Sequence, residues 1–85
     1  MNHAPLVDTT ITPDAMNPTK GDTFQRLTPM GLERFVIIDV RESGYVSYVS
    51  GDGGPRTVDP EHFRAILVAL DMEPFGRMRT APEAK

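Results

Sequence analysis

The chain has 85 residues, 9 Lys and Arg against 12 Asp and Glu, a net charge of -3 and 39% hydrophobic residues, a balance that fits one small soluble globular domain. It has no cysteine and only two histidines, which excludes disulfides, thiolate zinc and iron–sulfur sites, cysteine nucleophiles and a His-rich metal site. The mild acidity speaks against a general phosphate binder, and with neither an apolar run of about 20 residues nor a secretory leader pattern the expected setting is cytoplasmic, away from membranes.

Residues 1–22 read as a flexible tail. Pro5, Pro13 and Pro18 interrupt it, and its apolar mass is too small to offset the entropy of ordering. Within it, Val7, Thr9 and Ile11 alternate with Asp8 and Thr10. That β-branched pattern suits a short strand at 6–12 docked on a sheet edge. A single β-rich domain is expected over 23–72. Thr23–Thr28 alternates as a strand, and Pro29–Met30–Gly31 is a turn. Glu33–Glu42 carries the strongest strand signal. Ser43–Gly44 suits a tight hairpin, because Gly accepts positive φ. Tyr45–Ser50 returns as its partner, Gly51–Asp52–Gly53–Gly54–Pro55 is a flexible loop, and Arg56–Thr57–Val58 is a short last strand.

A two-residue turn at Ser43–Gly44 would pair Glu42 with Tyr45, Val40 with Ser47 and Ile38 with Val49. Val36, Ile38 and Val40 then form the core face. Phe35, Ile37, Asp39 and Arg41 turn to the other side, beside Val46 and Tyr48. A one-residue slip would invert this assignment.

A helix is predicted over 60–71. Asp59 is a good N-cap, Pro60 sits where its missing N–H costs nothing, and Glu61 complements the positive end of the dipole. Phe63, Ile66, Leu67 and Leu70 fall on one stripe. Pro74 disfavours helix just before it, and 73–85 reads as a second tail. The expected fold is α+β, mainly β: a small antiparallel meander followed by one C-terminal helix. An SH3-like barrel is preferred over an open sheet of about three to four strands, because the long strand is apolar on both sides where it would bend between layers. The start at Gly21–Asp22–Thr23–Phe24 resembles the opening of many small SH3-like barrels, over too few residues to assign a family.

Several groups invite a chemical reading. The glycine loop at 51–54 lacks the following helix and Lys of a phosphate cradle. Asp52 with Asp59, or Asp39 with Glu42, would serve acid–base work only across a cleft, and so small a domain offers little room for one. No Ser sits in a nucleophile motif, and His62 is a lone group on the first helical turn. An enzyme is therefore not expected, and no cofactor or metal is implied. Arg outnumbers Lys seven to two. Arg with Tyr and Phe is the composition of protein interfaces. The expected function is a small protein-interaction module, accessory or regulatory, binding through Phe35, Ile37, Arg41, Tyr45, Tyr48 and Arg56. Its partner would be another protein, a second copy of the chain included, since a folded part of about 50 residues is near the size at which one core is marginal. The alternative is single-stranded nucleic acid held by the same Arg and aromatic surface. It is ranked lower, because the four Arg from 23 to 58 are balanced by Glu33, Asp39, Glu42 and Asp52.

Overall fold

Alternating β-branched and aromatic residues make strand the commonest element of this chain. The computed structural model describes residues 7–51 and 53–79. The parts of the expected tails at 1–6 and 80–85, and Asp52 of the glycine loop, lie outside the described residues. The elements are β1 (Val7–Asp8), β2 (Asp22–Thr28), β3 (Gly31–Val40), β4 (Val46–Ser50), β5 (Arg56–Val58), α1 (Pro60–Ala69) and β6 (Glu73–Met78). They form one open antiparallel sheet in the order β1-β6-β2-β3-β4-β5. The class is α+β, mainly β, and of the two forms expected the open sheet is the one found. Its core is a meander, β2 to β5. β5 lies at one edge and β6 beside β2, so the chain between them must cross a face of the sheet, and α1 makes that crossing.

The sheet has more strands than expected because 73–78, read as tail, is β6. Pro74 and Gly76 hide its periodicity. They are tolerated because the β2–β6 register shifts between Thr23–Gly76 and Phe24–Pro74, leaving Phe75 as the extra residue of a bulge. The N-terminal strand does dock, among the described residues over Val7–Asp8, pairing with Met78 and Arg77 of β6. Asp8 ends it by accepting from the Thr10 amide at 3.0 Å and hydroxyl at 2.5 Å.

The β3–β4 faces are inverted from the expectation. The Arg41 amide donates to the Tyr45 carbonyl at 2.9 Å and the Gly44 amide to the Arg41 carbonyl at 2.8 Å. The loop is therefore Glu42–Ser43–Gly44, with Gly44 at φ 93° taking the left-handed position. That extra loop residue moves the register to Val40–Val46, and a bulge at Ile38 moves it again to Ile37–Tyr48 and Phe35–Ser50. Phe35, Ile37, Val46 and Tyr48 thus form the core with Phe24, Phe63, Leu67 and Met72, while Val40 rejoins that face through the bulge. Val36 and Ile38 are buried outside this cluster. Rings chain through the core: Phe35 to Tyr48 at 5.0 Å, Tyr48 to Phe63 at 5.5 Å and Phe63 to Phe24 at 5.9 Å.

The helix begins as expected, with the Asp59 carboxylate accepting from the His62 amide at 2.6 Å. It ends two residues earlier. Asp71 takes φ 54°, the Asp71 amide donates to Val68 and the Met72 amide to Leu67. This is a Schellman ending, and Met72 packs with Leu67 in the core as that motif favours. Phe63 and Leu67 are buried; Ile66 and Leu70 pack at the margin of the core. No helix among the described residues is long and apolar enough to cross a membrane.

Candidate functional site

Five inter-strand steps make the sheet about 24 Å wide, whereas one helix covers about 10 Å. A single helix on this sheet must leave a groove on each side. On the side of β3, β4 and β5 lies a cleft of about 510 Å³. The helix contributes His62, Ile66, Ala69 and Leu70, one stripe adjacent to the core stripe. The strands contribute Glu33, Phe35, Tyr48, Ser50 and Arg56, with Gly53 and Gly54 at the open end. On the other side, Arg64, Val68 and Asp71 face Ala15 and Met16 across a shallower groove of about 420 Å³.

The cleft has an apolar floor and polar rims. Glu33 is held by Arg26, Nε to Oε1 at 2.5 Å, and an Arg26 Nη1 donates to the Leu70 carbonyl at 3.3 Å. This ties the hairpin of β2 and β3 to the end of α1 and fixes the acidic rim. Arg56 is exposed on the opposite rim and forms no ion pair among the described residues. Tyr48 is 3% exposed and lines the cleft. No buried side-chain polar atom among the described residues lacks a partner. Tyr48 makes no side-chain hydrogen bond to any of those residues.

The six residues expected to bind a partner therefore separate. Phe35, Tyr48 and Arg56 meet in the cleft, the first two as floor. Ile37 is fully buried beneath it. Arg41 and Tyr45 are exposed at the β3–β4 loop, away from the cleft. The expected patch of Phe35, Ile37 and Tyr48 with an Arg41 rim is not a surface, because α1 covers that face. Phe35 and Tyr48 are thus buried under the helix, while Tyr45 is 45% exposed. Arg26 is paired with Glu33, Arg77 with Asp22, and Arg34 lies 4.9 Å over the Phe75 ring.

Asp52 lies outside the described residues, and the described carboxylates considered for acid–base work do not line the cleft. Asp59 is the helix cap, and Asp39 and Glu42 are exposed outside the cleft. Among the described residues no three His, Asp or Glu come together as metal ligands. The buried carboxylate is Asp22, which accepts from the Thr19 amide at 2.8 Å, the Thr19 hydroxyl at 3.0 Å and Arg77 Nε at 2.6 Å. At the half-buried Asp8, the bonds from Thr10 hold the carboxyl below its ordinary value. Glu33, Ser50, Ile66 and Ala69 escaped the sequence reading. The available signal was the stripe His62–Ile66–Ala69, one step around the helix from Phe63–Leu67. No family model, curated protein or solved structure matches this chain. The cleft is therefore read from its own chemistry.

Proposed function

We propose that the chain is a small protein-interaction module, accessory or regulatory and cytoplasmic, whose cleft takes an apolar side chain from a partner polypeptide. The observation that carries this reading is the cleft floor: Phe35, Tyr48 and Ile66 supply apolar surface, and the Tyr48 hydroxyl has no partner among the described residues. An apolar floor with one convergent polar group is the usual make-up of a recognition pocket. Tyr is a common interface anchor. Arg56 on one rim favours a partner segment that carries a carboxylate beside its apolar residue.

The test is a selection of displayed peptides against the whole chain, with binders measured against two variants. Ala69 is exposed at the end of α1 and lines the cleft, so Ala69→Arg fills the cleft without entering the core. It is expected to weaken binding at least tenfold, about 1.4 kcal/mol, with the circular dichroism spectrum unchanged. Arg56→Glu is expected to weaken acidic peptides and spare neutral ones. Peptides that bind Ala69→Arg as tightly as the parent would remove the cleft as the site. Binding of a single-stranded oligonucleotide that falls steeply with salt would replace this reading with the nucleic-acid one.

A further inference from the structure

β3 is longer than its neighbour. Its last pair with β4 is Phe35–Ser50, yet it runs on to Gly31. Gly31, Leu32, Glu33 and Arg34 pair with β2 on one side and with no strand among the described residues on the other. The space beyond them is a notch of about 520 Å³, floored by this strand and closed at one end by Ser50 and Gly51. Backbone direction follows from one bond. The Ile37 carbonyl accepts from the Gly21 amide at 2.7 Å, on the β2 side. Alternation along the strand then turns the N–H and C=O of Leu32 and Arg34 toward the notch.

The overhang is also apolar. Leu27 and Leu32 are cross-strand partners, 81% and 55% exposed, and Met30 at the turn is 97% exposed. Arg26 reaches the Leu70 carbonyl on the helix side, so alternation puts Leu27 and Leu32 on the helix-free face. The β5 edge of the sheet is protected by brevity, at 3 residues. The β3 overhang has no such protection.

We propose that this overhang pairs antiparallel with the same overhang of a second copy, about a two-fold axis at Leu32. The partner is a second copy because the overhang fits itself in one register. A two-fold axis normal to the sheet keeps each side chain on its own face. Centred on Leu32, it sets Leu32 opposite Leu32, Gly31 opposite Glu33 and Met30 opposite Arg34. The helix-free face then carries an unbroken row across four strands, Leu27–Leu32–Leu32–Leu27, and the Leu32 backbones exchange both hydrogen bonds. Centred on Glu33, the axis would oppose two carboxylates and drive Gly31 into the place Ser50 holds. Centred on Arg34, it would need the edge of Val36, which Val49 occupies. Charge does not oppose the Leu32 register, since each Glu33 is paired with its own Arg26 and each Arg34 lies over Phe75. The proposal is independent of the cleft, which lies on the helix face.

Sedimentation of the full chain from about 10 μM to about 1 mM tests it. The weight-average mass is expected to rise from 9.4 kDa toward twice that value. Leu32→Lys should raise the dissociation constant at least about tenfold, with unchanged circular dichroism because Leu32 is not in the core. The chain has no cysteine, so Leu32→Cys gives a clean cross-link test. Residues at a hydrogen-bonded antiparallel pair sit about 5.5 Å apart at Cα, within disulfide reach. Leu32→Cys should form covalent dimer under mild oxidation, and Val68→Cys on the exposed side of α1 should not at equal concentration. A monomeric mass across the range, a dimer indifferent to Leu32→Lys, or Leu32→Cys cross-linking no faster than Val68→Cys would each overturn the proposal.

Discussion

Asp22 shows how much one residue can fix in a domain this small. Its side chain is buried, and it accepts from Thr19 twice and from Arg77 once. It joins the turn before β2 to β6, across 55 positions of sequence. Arg77 is about a third exposed, so the two ends of the pair are unequal. Removing Arg77 leaves a carboxylate buried without its cation, whereas removing Asp22 leaves a cation that water can reach. Arg77→Met is therefore expected to cost about 3 kcal/mol, read as a lower urea midpoint at unchanged slope. An effect below about 0.5 kcal/mol, the size of an ordinary surface change, would show that Thr19 alone satisfies Asp22. Asp8 carries a pH signature instead. Its carboxyl is lowered in the folded chain, first by the bond from the Thr10 hydroxyl and then by that from the Thr10 amide. A lowered folded value means its stabilisation is present above the unfolded value and is lost as pH falls through the folded one. The Asp8 carbonyl-carbon titration should have a midpoint below the ordinary carboxylate range. Thr10→Val should move it up; no movement would assign the shift to the residue-10 amide, which the variant keeps, and to Arg79.

The elements differ in how far the sequence revealed them, and the reasons are local. α1 was legible because cap, proline and apolar stripe agree. β3 and β4 were legible as strands, but their faces were not. Face assignment depends on the loop count at Glu42–Ser43–Gly44 and on the bulge at Ile38, and alternation carries no mark of either. Two cleft residues, Phe35 and Tyr48, were thus singled out for a surface they do not occupy, and Arg56, also named for binding, lies exposed along the cleft. β6 was unreadable because a bulged strand with Pro74 and Gly76 looks like a tail. Gly76 gives β6 a direct test. A Cβ there would lie 2.7 Å from the Asp8 carbonyl oxygen and 2.7 Å from a Val7 methyl. Gly76→Ala should push β1 off the edge while β6 keeps its pairs with β2. The expected cost is small, about 1 kcal/mol, since β1 joins the sheet at its edge, through β6. Hydrogen exchange should show protection lost at β1 and retained in β2 and β3. Protection lost throughout the sheet would mean β1 holds more than its own edge.

At the scale of the molecule, the question is where the folding unit ends. A domain closed at Met72 is what apolar periodicity suggests, and it contains every residue of the main core cluster. The pairing argues otherwise. β6 lies between β1 and β2, so without it β1 has no neighbour and β2 becomes an edge. The Met78 amide, which donates to the Gly21 carbonyl at 2.8 Å, is lost, and Asp22 is left without Arg77. A sheet reduced to β2–β5 under one ten-residue helix is near the size at which burial no longer offsets chain entropy. A chain ending at Met72 is therefore expected to lack a cooperative urea transition and to give a collapsed amide spectrum, in contrast to full-length Gly76→Ala, which loses only β1. A Met72-terminated chain that unfolds cooperatively within about 1 kcal/mol of the full chain would make β6 an accessory strand. The buried Asp22 pair makes that outcome costly, because the carboxylate would then have to stay buried without its cation or open the turn at Thr19.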